Sequence, residues 1–113
     1  MKSKNERLYE GMYILSATLS EDARNKALSK ITDGITAKGG EIKKLHDLGK
    51  KRLAYEIRKK KEGYYYLIYF TLDSKHIKEI WQEYHLHEDL LRFMTLQAEE
   101  VKENLTFKPL KQN

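Results

Sequence analysis

The stretch KEGYYYLIYF, residues 61–70, places five aromatic side chains directly behind a glycine. A run of aromatic and aliphatic residues of this length is typical of a β-strand, and alternate side chains of a strand point to opposite faces of its sheet. The rings could therefore fill a core or form a surface on which nucleic-acid bases stack. The direction in which alternate residues point decides between these roles, and the neighbouring elements set that direction.

Three further segments share the strand pattern. Residues 7–15, RLYEGMYIL, and residues 90–97, LLRFMTLQ, predict a first and a last strand. Residues 41–57 predict a long strand that is interrupted near Gly49, where a bulge or bend is expected. The segment KKKEG, residues 59–63, predicts the turn that leads from this long strand into the aromatic strand.

Two segments between the strands carry helix signals. The first follows Thr18 or Ser20, either of which can cap a helix N-terminus, and it ends at Gly39-Gly40. The second follows Asp73-Ser74, which is another capping signal. Apolar residues recur three and four positions apart in both segments: Ala27, Leu28, Ile31 and Ile35 in the first, and Ile77, Ile80, Trp81 and Tyr84 in the second. Each helix is therefore expected to lay an apolar stripe on the sheet.

The resulting order, β-α-β-β-α-β, is that of the ferredoxin-like α+β fold. We expect a four-stranded antiparallel sheet with both helices on one face and with the first and third strands in the centre. One such domain accounts for residues 1–97, and residues 98–113 form a polar C-terminal tail that we expect to be loosely ordered. The other face of the sheet is left without a helical layer.

This fold assigns the rings of the aromatic strand to two faces. The helix-facing set is predicted to be Tyr64, Tyr66, Ile68 and Phe70. The set on the open face is predicted to be Tyr65, Leu67 and Tyr69, joined from neighbouring strands by Met12, Ile14, Met94 and Leu96. The opposite parity is also compatible with the pattern. We prefer the first assignment because a central strand needs apolar bulk beneath the helices, and because tyrosine hydroxyls on the open face can reach water.

The open face is too apolar to be covered by solvent alone, which suggests a protein partner. The candidate partner contacts are Tyr65, Leu67, Tyr69, Met94 and Leu96. The alternative is a tyrosine patch that stays exposed in a monomer.

The chain also has the charge of a protein that binds a polyanion. It carries 22 Lys and Arg against 17 Asp and Glu, a net charge of +5. Positive charge is concentrated in Lys50-Lys51-Arg52 and in residues 58–61, RKKK. For residues 58–61 the simpler interpretation is a solvated hairpin tip that keeps the protein soluble.

Several functional classes find no support in the sequence. The absence of cysteine excludes a disulfide scaffold and a thiol nucleophile, and no apolar run approaches the roughly 20 residues of a membrane span. The pair His85 and His87 lacks a converging third ligand, so no metal site is predicted. Because there is no phosphate-binding loop and no catalytic triad, we expect no enzyme activity, no cofactor and no small-molecule substrate.

Three stretches carry a resemblance to a known family. They are LGKKRLAYEI, residues 48–57, with EGYYYLIYF after it, the opening YEGMYIL, and LHEDLLRFMTL, residues 86–96. The chain resembles the family of the sixth protein of the bacterial small ribosomal subunit from about Tyr9 to Leu96. Members of that family often have proline after L-A-Y, where this chain has Glu56.

The resemblance implies a ferredoxin-like, non-catalytic component of the cytoplasmic ribosome. It further implies binding to the central domain of 16S ribosomal RNA together with the eighteenth small-subunit ribosomal protein. The positions that the resemblance directs toward RNA or the partner, and that we take as candidate RNA contacts, are Arg7, Tyr9, Lys51, Arg52 and Arg92. Guanidinium and ammonium groups suit phosphates, and they need not read a base.

A second function remains open on sequence grounds, a free-standing module that binds single-stranded RNA by stacking. Residues 63–69 loosely follow the pattern of an RNA-recognition-motif strand, with Tyr64 and Tyr66 as the stacking rings. The pattern departs at Glu62, where a basic residue is expected, and at bulky Tyr65, where a small one is expected. The preferred parity would also hide both stacking rings against the helices.

Overall fold

Each strand-like and helix-like segment of the sequence forms the predicted type of element. The computed structural model describes residues 4–103, so residues 104–113 of the predicted tail lie outside the described residues. In chain order the elements are β1 (Glu6–Ser16), α1 (Glu21–Thr36), β2 (Glu41–Ile57), β3 (Lys60–Asp73), a one-turn 3-10 helix (Ser74–His76) that runs into α2 (Ile77–His85), and β4 (Leu90–Gln97).

The strands form one sheet in the order β2-β3-β1-β4, and all neighbouring strands are antiparallel. The central pair, β1 and β3, is in register along its full length, from Glu6 opposite Asp73 to Ser16 opposite Gly63. The ferredoxin-like fold with the first and third strands in the centre is therefore confirmed.

Local signals fix the two ends of α1. The Ser20 side chain accepts a hydrogen bond from the Ala23 backbone N–H at 3.1 Å, so Ser20 rather than Thr18 is the N-cap. After the helix, Gly39 has a φ of +87°, a left-handed conformation that favours glycine. The chain can therefore turn directly from α1 into β2.

The apolar stripe of α2 is narrower than predicted. Ile80 and Tyr84 are buried and Ile77 packs against the core, whereas Trp81 is 41% exposed. Trp81 follows Ile80 by about 100° around the helix, which turns its indole away from the sheet. The prediction that Trp81 faces the sheet is wrong, because the other three side chains already form the contact of this short helix.

The core lies between the sheet and the two helices. Its buried members are Tyr9, Tyr13, Leu15, Ala27, Ile31, Ile35, Tyr66, Ile68, Phe70, Leu72, Ile80, Tyr84 and Leu90. Tyr66, Ile68 and Phe70 are among them and Tyr64 packs at the edge, so the predicted parity of β3 is confirmed. The hydroxyl oxygens of Tyr13 and Tyr84 lie 2.9 Å apart, so these two buried polar groups satisfy each other.

The β2–β3 hairpin departs from the prediction at its turn. The turn consists of Arg58 and Lys59, both with positive φ, and β3 already begins at Lys60. The predicted turn over residues 59–63 is therefore placed too late, since a run of lysines can continue a strand with its side chains in water. The predicted interruption near Gly49 is confirmed, because the β2–β3 register shifts between Asp47 and Gly49.

Candidate nucleic-acid and partner interface

The face of the sheet opposite the helices is built from three rows of side chains that cross β3, β1 and β4. Register places directly paired residues on the same face. The rows are Tyr65, Ile14 and Arg92; Leu67, Met12 and Met94; and Tyr69, Glu10 and Leu96. All five predicted partner contacts therefore lie on this open face.

The five partner candidates differ sharply in exposure. Met94 and Leu96 on the edge strand β4 are 60% and 54% exposed, and Tyr65 is half-buried. Leu67 and Tyr69 on the central strand are buried within the single chain. In this conformation only Met94, Leu96 and Tyr65 can touch another molecule. The prediction that Leu67 and Tyr69 contact a partner is corrected, because both side chains are buried and support the surface from below.

Part of this burial comes from the segment after β4, residues 98–103, which we call the strap. The Ala98 N–H donates to the Leu8 carbonyl at 2.8 Å, which keeps the strap beside β1. Further along, His46 Nε2 lies 2.7 Å from the Lys102 carbonyl oxygen. Because a carbonyl can only accept, His46 must carry its proton on Nε2. The strap thus crosses the open face from β4 to β2.

Tyr69 lies beneath the strap and is held there by polar contacts. Its hydroxyl donates to Glu10 Oε2 at 2.8 Å, and the His46 ring packs edge-on against its ring at 6.1 Å. Burial, followed by the hydrogen bond to the Glu10 carboxylate, raises the pKa of Tyr69 to about 12. A fully buried tyrosine with this partner is part of the folded structure and not a free contact group.

The predicted RNA-binding cations do not converge on one patch. Lys51 is opposite Gly63 and Arg92 is opposite Ile14, which places both on the open face at the hairpin end of the sheet. Arg52 is paired with Glu62, one position further along, and so points to the other face.

Arg7 is separate from the other cations. It is paired with the core residue Leu72, and it lies seven positions along β1 from Ile14, about 23 Å at 3.3 Å per residue. Its Nη1 donates to the carbonyls of Lys4 and Glu6, both at 3.2 Å. Arg7 therefore lies near the opposite end of the sheet.

Tyr9, the fifth predicted RNA contact, is a core residue. It is 8% exposed, and its ring stacks on Phe70 with 5.6 Å between the ring centres. Since even-numbered residues of β3 face the helices and Tyr9 is paired with Phe70, its ring is directed into the core. The prediction that Tyr9 contacts RNA is corrected for this reason.

The sequence reasoning missed Tyr55. Its ring is 62% exposed, and the Arg92 guanidinium carbon lies 5.4 Å from the ring centre. With Ile14, Leu53 and Tyr65, these two residues line an open groove of about 190 Å³. Tyr55 ends the motif GKKRLAY, in which only the cations Lys51 and Arg52 were predicted to be contact residues.

The two rings required for base stacking are already occupied. Tyr66 is 2% exposed beneath the helices. The Arg24 guanidinium carbon lies 4.0 Å from the centre of the half-buried Tyr64 ring. The fold therefore does not present these rings as a stacking surface.

Other ligand classes receive no support from the described part of the chain. Between residues 4 and 103, no group of three or more His, Asp or Glu side chains is arranged to hold a metal ion. No helix in the same range is long and apolar enough to cross a membrane.

Comparisons with known proteins agree on one family. The profile of ribosomal protein S6 matches residues 8–97. Small ribosomal subunit protein bS6 of Protochlamydia amoebophila is 62% identical over 110 residues, which cover 97% of this chain and 96% of that protein. The same protein of Chlamydia muridarum is 63% identical over 110 residues, with coverage of 97% and 98%.

A solved structure supports the same assignment. The crystal structure of 30S ribosomal protein S6 from Thermotoga maritima superposes with a TM-score of 0.78 at 31% identity, and the match covers 82% of this chain and 88% of that one. These relatives are ribosomal proteins and not enzymes. The fold, the profile match and the identity over nearly the whole length show that this chain belongs to the ribosomal protein S6 family of the small ribosomal subunit.

Proposed function

We propose that this chain is a structural constituent of the small ribosomal subunit that binds the central domain of 16S ribosomal RNA together with the eighteenth small-subunit protein. The observation that supports this proposal best is the open face, where an exposed apolar edge lies beside cations at the hairpin end. As part of the ribosome, the protein works in the cytoplasm and catalyses no reaction.

The RNA contact is assigned to Lys51 and Arg92. Both side chains are exposed on the same face, and both suit phosphate oxygens without reading a base. The Tyr55 ring beside Arg92 restricts the orientation of the guanidinium, which lowers the entropy that this side chain loses on binding. Arg52 and Arg7 point elsewhere and are assigned peripheral phosphate contacts at most.

The protein contact is assigned to Tyr65, Met94 and Leu96. Methionine and tyrosine are enriched at protein interfaces because they bury large areas and adapt to a partner. The edge position of β4 leaves this side of the sheet open to a neighbouring chain. One partner can therefore cover the apolar edge while the RNA occupies the hairpin end.

The RNA assignment is tested by the double variant Lys51→Gln/Arg92→Gln. Loss of two phosphate contacts should reduce the magnitude of the negative slope of log K against log salt by about 1.4–1.8 in the presence of the partner protein. Both residues are exposed, so the folded state should be retained. Filter binding to a central-domain 16S RNA fragment over a salt series measures the slope.

The matched control is Lys75→Gln/Lys78→Gln, which removes the same charge from exposed positions at and before α2. We expect this variant to keep the slope of the unmodified protein. Equal slopes for the two double variants would contradict the assignment of Lys51 and Arg92.

The partner assignment is tested by Met94→Glu. A carboxylate at this exposed position costs little in the free protein, but it would be desolvated in an apolar interface. We expect association with the eighteenth small-subunit protein to weaken at least tenfold, which corresponds to about 1.4 kcal/mol. Leu86→Glu, at an 82% exposed site in the α2–β4 connection, is the control that should bind normally. Calorimetric affinities that are equal for the two variants would argue against this interface.

A further inference from the structure

The turn of the β2–β3 hairpin adopts a conformation that its residues do not favour. Arg58 has a φ of 51° and Lys59 a φ of 65°, so two consecutive residues with side chains are left-handed. Two-residue hairpins of this shape strongly prefer Asn-Gly or another pair with glycine. Arginine and lysine at these positions weaken the fold, and retained strain of this kind is common where the side chains serve a function.

Charge is concentrated on the same hairpin. Residues 50–62 contain seven basic and two acidic side chains, a surplus of five that equals the net charge of the whole protein. One of the acids, Glu62, is paired with Arg52 by register. Within residues 4–103, no carboxylate lies within 4.0 Å of a cation of residues 58–61. The four cations at the tip therefore have no neutralising anion on the described part of the chain.

The tip is anchored and does not swing freely. Arg58 Nη1 donates to the Glu88 carbonyl at 3.1 Å, which attaches the turn to the connection between α2 and β4. This bond uses one of five guanidinium N–H donors, and the others remain available. Arg58 also lines the same cleft as Arg92, an open space of about 400 Å³ beside Ile57 and Phe93. Tyr84 and His85 of α2 also line this cleft, so the tip lies beside Arg92 on the helix side of the sheet end.

We propose that residues 58–61 form a second phosphate-binding site, which grips the sugar–phosphate backbone of RNA next to the Arg92 contact. This inference rests on the proposed function and extends it to a site absent from the contacts assigned above. The ligand is a run of phosphates, because Arg58, Lys59 and Lys61 are exposed cations and no residue of 58–61 is aromatic or apolar. The anchored turn holds these cations in place before RNA arrives.

The test is Arg58→Asn/Lys59→Gly, which installs the preferred residues of this turn and removes two charges. The variant also removes the Arg58–Glu88 hydrogen bond, but relief of two consecutive left-handed residues outweighs one exposed hydrogen bond. If the tip serves the fold alone, the variant should therefore be more stable and should bind normally. We expect a higher melting temperature together with weaker binding to the central-domain 16S RNA fragment. The magnitude of the negative slope of log K against log salt should decrease by about 1.4–1.8. Opposite changes in stability and affinity cannot arise from partial unfolding.

The charge-matched control is Lys26→Gln/Lys30→Gln on the exposed surface of α1. We expect it to keep the salt slope of the unmodified protein. An equal decrease of the slope magnitude in the control would overturn the inference in favour of a general field effect. Unchanged binding of the turn variant would also overturn it, because the tip would then make no contact with RNA. Normal RNA binding with lost association to the partner protein would make the tip a protein contact instead. If the unmodified chain fails to bind the fragment even with its partner, the proposed function and this inference both fail.

Discussion

Gly11→Ala should lower the free energy of unfolding by about 2–4 kcal/mol. A Cβ added at Gly11 would lie 2.6–2.8 Å from the hydroxyl oxygen and ring carbons of Tyr13. The ring cannot move aside easily, because Tyr13 is fully buried and its hydroxyl is bonded to Tyr84. Overpacking of this kind typically costs about 1–3 kcal/mol, and disturbance of a buried hydrogen bond adds about 1 kcal/mol.

Gly34→Ala is the matched control in the same chain. A Cβ at Gly34 would meet only Glu83 Oε1, at 3.2 Å, which is the far end of a flexible side chain. Because Gly34 lies inside α1, alanine should stabilise the protein by about 0.5–1 kcal/mol. Urea denaturation of both variants measures the two effects. A Gly11→Ala protein with the unmodified midpoint would show that the Tyr13 ring is not fixed as described.

Stability should also fall steeply above pH 10. Burial raises the pKa of Tyr13, Tyr84 and Tyr69, the last to about 12. Above the unfolded value near 10, the unfolded chain loses these protons while the folded chain keeps them, so the native state binds more protons and stability decreases with pH. Each tyrosine contributes about 1.4 kcal/mol per pH unit, or about 4 kcal/mol per unit for three. The contribution of Tyr69 is complete below pH 10 and is lost by about pH 12.

Denaturant melts between pH 8 and pH 12, with tyrosinate absorbance as a second signal, measure this dependence. Tyr69→Phe should reduce the dependence of the unfolding free energy on pH by about 1.4 kcal/mol per pH unit between pH 10 and pH 12, which corresponds to one proton. Tyr55→Phe, which removes a hydroxyl from an exposed ring, provides the control. A slope that is the same in the unmodified protein and in Tyr69→Phe would contradict the assigned burial of Tyr69.

The fold could be predicted from sequence because local and global signals agree. The caps, the three-and-four spacing of apolar residues and the alternation in β3 lead to the same element order. The facing of β3 then follows, because a one-residue slip would turn Tyr66, Ile68 and Phe70 away from the helices. The prediction for Trp81 was wrong because the three-and-four spacing of apolar residues identifies the buried stripe of a helix but not how wide that stripe is.

The contact surface could be predicted only in part. The pattern placed all five partner candidates on the open face, where the structure has them, but it could not show which of them the chain itself covers. Tyr69 is buried beneath a strap that is held through the Ala98 N–H and the Lys102 carbonyl, and main-chain groups of this kind leave no trace in the residue types of the strap. The strained turn at Arg58 and Lys59 was equally invisible, since lysine-rich segments fit strands and turns alike.

The strap has a consequence for biosynthesis. Residues 98–103 are made after every strand, and during the interval before their synthesis nothing in this segment can cover the Tyr69 hydroxyl and its Glu10 partner. The Lys44–Glu103 ion pair, 3.7 Å between Nζ and Oε1, can close only at the end of this interval. Translation order therefore makes the strap the last described segment that can join the open face.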